Sequence, residues 1–393
     1  MKTLFTVRLR GFTRARAIVA ACVFHAVCGL APARAACDMF APGVARGTVS
    51  IGGLQEASGI AASRRNPGVL WVHNDGSSGA VHAVGMNGAR LATFYLGRTV
   101  SDTEDIAVGP GPVAGQSYLY VGDIGAKKTR GDVQILRIPE PVVEAGWAGN
   151  PPTVFFSGVN AFTVSYPDGK YDAESLMADP WTGDVFVVTK QAGTARVYRA
   201  NLNFRAPGSQ TFWSFVRAVP FGLASGGDIS ADGTQIVLRR EDFAQTWERF
   251  SGEWIGVSLA RRGRGIPVIG PPQEPNGEGI ALLPDGSGYV TIGEGVNPML
   301  YFFEAQCPRH PQITLGLRNR RVGAGRTVTL GVRATGYPVP TYRWRLNGSI
   351  IAGETWRMLV LPGVSFADEG EYMVTAINPS GVVTSRGRLT VVP

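Results

Sequence analysis

Five short segments of this chain share one pattern, and their spacing constrains the fold more than any other feature. Each begins with an acidic residue, continues through small or apolar residues to a turn, and precedes a second short strand. A period of roughly 40–50 residues with several short strands per unit is typical of a β-propeller. The acidic residues are 48, 70, 54 and 50 positions apart, so we predict an all-β fold with five blades, or six if the longest interval contains another. The segments are Glu56–Ile60, Glu104–Ala107, Glu174–Met177, Asp228–Ala231 and Glu278–Ala281.

The first 35 residues have the composition of a secretion signal. A basic stretch precedes a short apolar run at residues 17–30, and Ala33-Arg-Ala35 fits a cleavage site. The run is too short to span a bilayer, and no later stretch is long and apolar enough to do so. We therefore predict a signal peptide at residues 1–35, and a secreted, periplasmic or cell-envelope protein. A membrane anchor and a lipid anchor on Cys37 are the alternatives.

Removal of this segment changes the charge of the chain. Residues 1–35 hold six of the 38 basic residues and none of the 30 acidic ones, which leaves a net charge of +2. The excess of basic residues is therefore mainly a secretion feature, and we expect no nucleic-acid partner. Residues 308–393 carry eleven arginines and four acidic residues (+7), whereas residues 36–307 carry 21 basic and 26 acidic residues (−5). This asymmetry predicts two domains, at residues 36–308 and 309–393.

Two cysteines remain after the predicted cleavage, Cys37 and Cys307. An even pair in an exported chain predicts a disulfide. The bond would join the first and last blades and close a loop of about 270 residues, a constraint worth about 5 kcal/mol in the chain-entropy description. Two unpaired thiols are the alternative.

The last segment has a signature of its own. Trp344 is followed by Asp368-Glu-Gly-Glu-Tyr372, which resembles an immunoglobulin domain of the I-set type with its tyrosine corner. The usual cysteine pair is missing, because Val332 and Val374 occupy those positions, so Trp344 should pack on aliphatic side chains. The resemblance implies a β-sandwich with an accessory or adhesion role and contacts at a cell surface. Its arginines would suit anionic glycans or lipopolysaccharide, and a simple solvated face is the alternative.

Acidic residues at equivalent positions of a propeller would converge at one opening. Crowded carboxylates raise one another's pKa values unless a cation intervenes, and Ca²⁺ takes six to eight oxygen ligands, so Ca²⁺ is the expected ion. Alternatively, each acid accepts backbone N–H groups and only stabilises local geometry. The predicted metal ligands are Glu56, Glu104, Asp105, Asp172, Glu174, Asp228 and Glu278. The predicted ligand-binding residues are His73, Asn74, Asp75, Asp123, Lys190, Arg240 and Glu294.

Several motifs of residues 50–300 resemble secreted bacterial propellers of the phytase-like or esterase-like group. The resemblance implies a Ca²⁺-supported propeller that binds or hydrolyses a phosphorylated or ester-containing ligand. One departure is Ala126-Lys-Lys128, where relatives tend to have a polar acidic pair. The motifs are Ser58–Ile60, Trp71–Asp75, Thr103–Ile106, Gly122–Gly125, Tyr166–Gly169, Asp172–Glu174 and Asp228–Ser230.

Three functions are consistent with this sequence. The first is an exported binding protein, with a small-molecule, glycan or phosphorylated ligand, or an ion, at the propeller mouth and an Ig-like adhesion domain. The second is a Ca²⁺-assisted hydrolase of phosphate or carboxylic esters, with His73, Asp75 and Glu174 as catalytic candidates. The third is a structural cell-envelope scaffold. Zinc-protease, serine-hydrolase and phosphate-loop motifs are absent, and whether the protein is an enzyme stays open.

Overall fold

The structure is a computed structural model that describes residues 37–125, 130–203, 205–337 and 340–393. The predicted signal peptide at 1–35 and the segment 126–128 lie outside these residues. In the described part, helical structure is limited to two 3-10 turns, Ala145–Gly149 and Phe366–Asp368, and one short helix, α1, at Ile255–Ser258. No described helix is long and apolar enough to cross a membrane.

Short strands follow one another through residues 44–304 of the described chain. They are β1 (Val44–Thr48), β2 (Ala57–Ala62), β3 (Val69–Asn74), β4 (Ala80–Gly85), β5 (Arg90–Tyr95), β6 (Thr103–Pro110), β7 (Ser117–Asp123), β8 (Asp132–Pro139), β9 (Thr153–Phe155), β10 (Asn160–Ser165) and β11 (Ala173–Ala178). They continue as β12 (Asp184–Thr189), β13 (Ala195–Asn201), β14 (Gln210–Phe212), β15 (Ser214–Val219), β16 (Gly226–Ile229), β17 (Gln235–Arg240), β18 (Phe243–Glu248), β19 (Arg264–Ile266), β20 (Gly277–Leu282), β21 (Gly288–Gly293) and β22 (Met299–Glu304).

These strands form five separate sheets, each built on an antiparallel meander. The strand orders are β2-β3-β4-β5-β9, β6-β7-β8-β10-β14, β11-β12-β13-β15, β16-β17-β18-β19 and β20-β21-β22-β1. The second strand of each sheet is almost wholly buried because apolar side chains of neighbouring sheets cover both of its faces. The first strands lie side by side, with β6 against β2 and β11, and β20 against β2 and β16.

The predicted five- or six-bladed β-propeller is wrong. In the described residues, no sheet closes on itself, and β9 and β14 add a parallel fifth strand to two of the sheets. The prediction failed because a repeat of 40–50 residues with short strands specifies only successive meanders, and the chain has these meanders. The repeat does not specify the class of fold that the meanders build. The supported description is an all-β chain with many separate sheets.

A disulfide joins the two ends of this strand series. The Cα atoms of Cys37 and Cys307 are 5.4 Å apart, and the bond closes a sequence separation of 270 residues. Next to it, Phe40 forms a β-bridge with Ala305, and β1 pairs with β22. The N-terminal segment is thus attached to β22 both covalently and by backbone hydrogen bonds.

The C-terminal strands form a sandwich of the predicted immunoglobulin type. The largest sheet has the order β24-β31-β30-β27-β28, with β25-β29 and β23-β26 as smaller sheets. The predicted boundary between residues 308 and 309 stays a prediction. The strands are β23 (Arg309–Leu315), β24 (Arg320–Gly323), β25 (Val328–Gly331), β26 (Arg333–Tyr337), β27 (Thr341–Leu346), β28 (Ser349–Ile350), β29 (Met358–Leu361), β30 (Gly370–Asn378) and β31 (Gly381–Val392).

The core of this sandwich forms around Trp344, which is 0% exposed. Val332 and Val374 belong to the same apolar cluster, so aliphatic packing replaces the missing cysteine pair. The Tyr372 hydroxyl donates a hydrogen bond to the carbonyl oxygen of Asp368 at 2.9 Å, which is the tyrosine-corner contact.

Candidate functional site

Three glutamates stand at irregularities in the first strands of three sheets. The pairing of β6 with β7 shifts between Thr103 and Asp105, and β11 and β20 shift in the same way around Glu174 and Glu278. The residue inside each shift is a glutamate, the first being Glu104. A bulge leaves its extra residue out of the ladder and re-aims its side chain. In three of the five segments the acid is therefore the bulged residue. The three glutamates lie close enough to interact electrostatically with one lysine, and we call the region around them the opening.

Lys190 is the cation of this opening. It follows β12, and its Nζ forms an ion pair with the Glu174 carboxylate. Its charge also interacts favourably with Glu278 and Glu104. The positive charge of Lys190 thus attracts three acidic side chains that belong to different sheets.

The glutamates bind protons more tightly than free glutamate does. Burial is the main cause, and it raises the pKa of Glu104 to about 10, with the charges of Asp75 and Glu174 adding to the effect. Burial also raises the pKa of Glu174 to about 8 and that of Glu278 to about 7, although Lys190 opposes both shifts. The opening therefore retains protons at neutral pH.

This retention predicts a loss of stability as pH rises from 6.5 to 8.5. Glutamate in the unfolded chain has a pKa near 4.5, so in this interval the folded state holds protons on Glu174 and Glu278 that the unfolded chain has released. His73 and His82, whose pKa values burial lowers to about 4, oppose this trend only near pH 6.5, where the imidazoles of the unfolded chain still bind protons, and have little effect between pH 7.5 and 8.5. Urea unfolding at pH 6.5, 7.5 and 8.5 should give a falling free energy. The double variant Glu174→Gln/Glu278→Gln should make the fall shallower without abolishing it, because Glu104, with a pKa of about 10, also holds a proton throughout this interval. A wild-type profile that is flat or rising contradicts the prediction.

Asp105 and Asp228 accept backbone hydrogen bonds that cross between sheets. Asp105 accepts hydrogen bonds from the backbone nitrogens of Ile106 and Leu176, both at 2.8 Å. Asp228 accepts from Ile229 at 2.7 Å and Leu282 at 2.9 Å. Each carboxylate links the first strand of its own sheet to that of another sheet. Their oxygens are engaged by backbone donors, which is the alternative to metal ligation that the sequence left open.

The remaining predicted ligands are dispersed. Glu56 is exposed, and Asn74 Oδ1 accepts a hydrogen bond from its backbone nitrogen at 2.9 Å. Asp123 accepts from the backbone nitrogen of Asp102 at 2.9 Å and pairs with Arg130 at 2.8 Å. Asn74 and Asp123 therefore hold loops in place.

His73, the strongest catalytic candidate from the sequence, is 1% exposed. Its Nδ1 lies 3.0 Å from the carbonyl oxygen of Asn74. Its Nε2 packs so closely against Gly59 that a Cβ on that glycine would overlap it. Burial lowers the pKa of His73 to about 4. The ring is a neutral part of the interior.

Arg240 and Glu294 line a cleft of about 550 Å³ with Lys190 and Glu278. Arg240 Nε donates to Asp242 at 2.8 Å, and Glu294 accepts from the Asn276 side chain at 2.6 Å. Asp172 interacts electrostatically with Glu104 and Glu174, and its backbone carbonyl accepts a hydrogen bond from Lys190 N at 2.9 Å. These residues border the opening without forming one converged set.

A tighter acidic group lies on one side of the opening. Asp75, Asp102 and Glu104 each present a carboxylate oxygen, and these oxygens all lie within 4.8 Å of one another. We call this group the carboxylate triad. Asp75 and Glu104 are among the site residues predicted from the sequence, whereas Asp102, two positions before Glu104, is not.

The Ig-like sandwich carries a different feature, an exposed apolar strip. Trp356, Met358 and Val360 are 77%, 50% and 53% exposed and occupy alternate positions along one edge of the sandwich. Met358 and Val360 are alternate residues of β29 and share one face of it, and Trp356 stands two positions before the strand. We call these three exposed side chains the Trp356 strip. Between them, Leu359 is buried in the core. Sequence reasoning missed this strip, and its only signal there is the Trp-x-Met-x-Val alternation.

Comparisons with known proteins concern this sandwich. A family model described as an immunoglobulin domain matches residues 310–378. The muscle M-line assembly protein unc-89 of Caenorhabditis elegans is 31% identical over 118 residues, which are 27% of this chain and 1% of that protein. Roundabout homolog 1 of Rattus norvegicus is 36% identical over 81 residues, 19% of this chain and 5% of that protein. A solved chimeric titin Z1Z2 carrying an exogenous decorin peptide has 29% identity, covers 22% of this chain and 97% of that one, and gives a TM-score of 0.21.

These findings correct the resemblance to phytase-like or esterase-like propellers. The matches are to immunoglobulin domains. They give no support to a ligand-binding propeller, to a Ca²⁺-assisted ester hydrolase, or to a small-molecule, glycan or phosphorylated ligand at a propeller mouth. The matched segments span a small share of the curated relatives' length. The likeness is compatible with a secreted or extracellular protein.

Proposed function

We propose that this chain is an exported adhesion or scaffold protein whose Ig-like domain makes protein contacts through the Trp356 strip. Two findings support the proposal: the likeness of residues 310–378 to immunoglobulin domains, and the exposure of Trp356 at 77%. The predicted signal peptide would direct the protein to be secreted or transferred to the periplasm or cell envelope. The observation that carries the proposal is the strip itself.

The strip has the chemistry of a contact surface. Large apolar side chains exposed side by side are uncommon on soluble proteins unless a partner covers them, and tryptophan is enriched among residues that dominate binding energy. The strip also borders an open edge, because β29 pairs only with β25 among the described strands. An unpaired edge presents backbone N–H and C=O groups to another chain. Apolar burial and strand addition would act at the same place.

A second copy of this chain provides a suitable partner. The Ig-like segment carries +7 and residues 36–307 carry −5, so the sandwich of one copy attracts the strand series of another. Opposite charges accelerate encounter, and the apolar strip would then slow dissociation. The proposed contact is therefore head-to-tail between copies and weakens as salt concentration rises.

Adhesion by this surface can be measured with beads coated with the full chain after signal removal. We expect the beads to aggregate at low salt and to disperse at about 0.5 M salt, where charge attraction is screened. Trp356→Ser should abolish aggregation and weaken self-association in solution at least about tenfold, since hot-spot tryptophans contribute about 2 kcal/mol or more.

Phe366→Ser is the matched control. Phe366 is 61% exposed in the same domain but lies in a 3-10 turn outside the strip, so this variant should aggregate like the wild type. Equal loss in both variants would point to general hydrophobic stickiness, and unchanged aggregation in Trp356→Ser would contradict the proposal.

A further inference from the structure

We propose that the outer face of the largest sheet of the Ig-like sandwich binds an acidic polysaccharide, a linear polymer of sugars that carries carboxylate or sulfate groups. The surface is separate from the Trp356 strip, and the proposal does not depend on the adhesion function. Its evidence is the register of five arginines, their weak engagement within the protein, and the hydroxyl groups between them. We call this surface the arginine face, and its arginines are Arg321, Arg343, Arg345, Arg386 and Arg388.

Strand alternation directs these arginines away from the core. Trp344 on β27 and Leu389 on β31 are buried in the apolar core of the sandwich. Successive residues of a strand point to opposite faces, so Arg343 and Arg345, on either side of Trp344, point outward. Arg388 precedes Leu389 and points outward for the same reason, as does the arginine two positions before it.

The strand register brings the arginines close together. Across the sheet, Met373 stands opposite both Arg345 and Arg386, so these two arginines flank it in one rung, about 10 Å apart. Along β27 and β31, Arg343 and Arg388 each stand two positions, about 7 Å, from a member of that rung. A linear polymer with anionic groups at regular intervals can contact several of these arginines at once, and each contact favours the next.

The two arginines of β31 are only weakly engaged within the protein. Arg386 lies 3.8 Å from the Glu371 carboxylate, and Arg388 lies 3.8 Å from that of Glu369. Their side chains are 64% and 62% exposed. Exposed ion pairs contribute little to stability, so the anionic groups of a polymer can replace these glutamates at small cost.

Arg321 and Arg343 are engaged still less. Arg321 precedes Val322, which packs against the core, so Arg321 points outward beside Thr390 of β31. Among the described residues, neither guanidinium makes a hydrogen bond or an ion pair. Their charges can therefore meet a ligand without breaking an interaction of the protein.

The chemistry of the face suits sugars that carry anionic groups. A guanidinium presents five N–H donors in a planar fork that binds the oxygens of an anion in pairs. Arg345 uses Nη1 to donate to the Gly348 carbonyl at 2.8 Å and keeps its other donors available. Thr375 and Thr384 stand opposite each other between the arginines, and their hydroxyls can exchange hydrogen bonds with sugar hydroxyls.

A membrane surface fits the arginine face less well. Protein segments that lie on bilayers combine basic residues with large apolar side chains that enter the lipid. In this sandwich, Leu359 of β29 and Trp344 of β27 share one core, so the Trp356 strip and the arginine face lie on opposite sides. On the arginine face, Met373 is half-buried and Val382 lies at one end. The exposed tryptophan and the arginines therefore do not face the same way.

Binding to immobilised polygalacturonate, which carries a carboxylate on each sugar unit, tests the proposal with the full chain after signal removal. We expect binding to polygalacturonate and to dextran sulfate, no binding to neutral dextran, and weaker binding as salt concentration rises. Arg343→Ser/Arg386→Ser should weaken binding at least about tenfold, because it removes two of the five guanidinium groups. Arg321→Ser/Arg388→Ser is an independent pair and should have a similar effect.

Arg326→Ser/Arg333→Ser is the charge-matched control. Arg326 lies in the loop before β25 and Arg333 lies on β26, and both are exposed in the same domain but outside this sheet. This variant should lose less than about threefold in affinity, through long-range charge alone. Trp356→Ser should bind the polymer like the wild type, so failure of polymer binding is distinguishable from failure of the adhesion proposal.

Three results would overturn the proposal. Equal losses in the face variants and in the control variant would show that binding depends on net charge alone. Stronger binding to phosphatidylglycerol vesicles than to either acidic polymer would identify a membrane surface. Absence of polymer binding by the wild type, together with loss of bead aggregation in Arg343→Ser/Arg386→Ser, would assign the face to a second copy of the chain, and absence of polymer binding alone also excludes a polysaccharide site.

Discussion

Replacing both Cys37 and Cys307 by serine should lower the free energy of unfolding by about 5 kcal/mol. The bond spans a sequence separation of 270 residues, and a long loop loses much entropy in the unfolded state when its ends are joined. In the folded state, only the Phe40–Ala305 bridge and the β1–β22 ladder would then attach the N-terminal segment. Guanidinium unfolding of the wild type and of the double variant measures the difference.

Reduction provides the control for this experiment. Dithiothreitol should destabilise the wild type by a similar amount and leave the serine variant unchanged, because the variant has no bond to break. The early transition of the variant should begin in the strand series at residues 44–304, since the apolar core of the Ig-like sandwich does not include either cysteine. Equal stability of oxidised, reduced and variant proteins would contradict the account of this closure.

Trp344→Ala should unfold much of the Ig-like domain at moderate temperature. Trp344 is 0% exposed, packs with Val332 and Val374, and donates from Nε1 to the Trp356 carbonyl at 2.8 Å. Truncation of a buried tryptophan costs about 3–5 kcal/mol. A small domain with no disulfide has a total stability of about 5–15 kcal/mol, so this loss removes a large part of it.

Trp356→Ala is the matched control for Trp344→Ala. Both tryptophans stand in the same domain, but Trp356 is 77% exposed, so its truncation should change stability by no more than about 0.5 kcal/mol. Trp344→Ala should also weaken self-association, because it removes the hydrogen bond that holds Trp356 in position. Calorimetry should show one early transition in Trp344→Ala with the later one unchanged. Similar stability of the two variants would contradict the role of Trp344 as the centre of the core.

The Ig-like sandwich was predictable because its signature is local. Trp344 and Tyr372 mark two neighbouring strands of one sheet, and the replacement of the cysteine pair by Val332 and Val374 predicts the aliphatic core that the structure has. The strand series was predictable only as successive meanders, because strand length and turn residues specify neighbouring pairs and not the class of the assembly.

The spacing of the acidic residues did not predict which of their side chains share an environment. Glu104 and Asp105 are adjacent, yet one faces the opening and the other accepts backbone N–H groups. A single-residue bulge makes this difference, and a repeat of some 50 residues cannot locate it. Asp228 consequently resembles Asp105 in its contacts and not the bulged glutamates with which the motif grouped it.

Asp102 and Trp356 were missed for a related reason. The role of Asp102 depends on a loop contact with Gly125, which brings together residues that no periodicity connects. The exposure of Trp356 depends on which face of an edge strand is uncovered, and alternation alone does not say which face packs inward. Both features require the strand pairing to be known.

Sedimentation equilibrium of the wild type and of Trp356→Ser at low and high salt tests the central claim most directly. The account predicts a wild type that associates at low salt, dissociates as salt rises, and loses at least about tenfold in affinity on Trp356→Ser, while Phe366→Ser associates normally. A wild type that is monomeric at all concentrations, or an association that Trp356→Ser leaves unchanged, would contradict it.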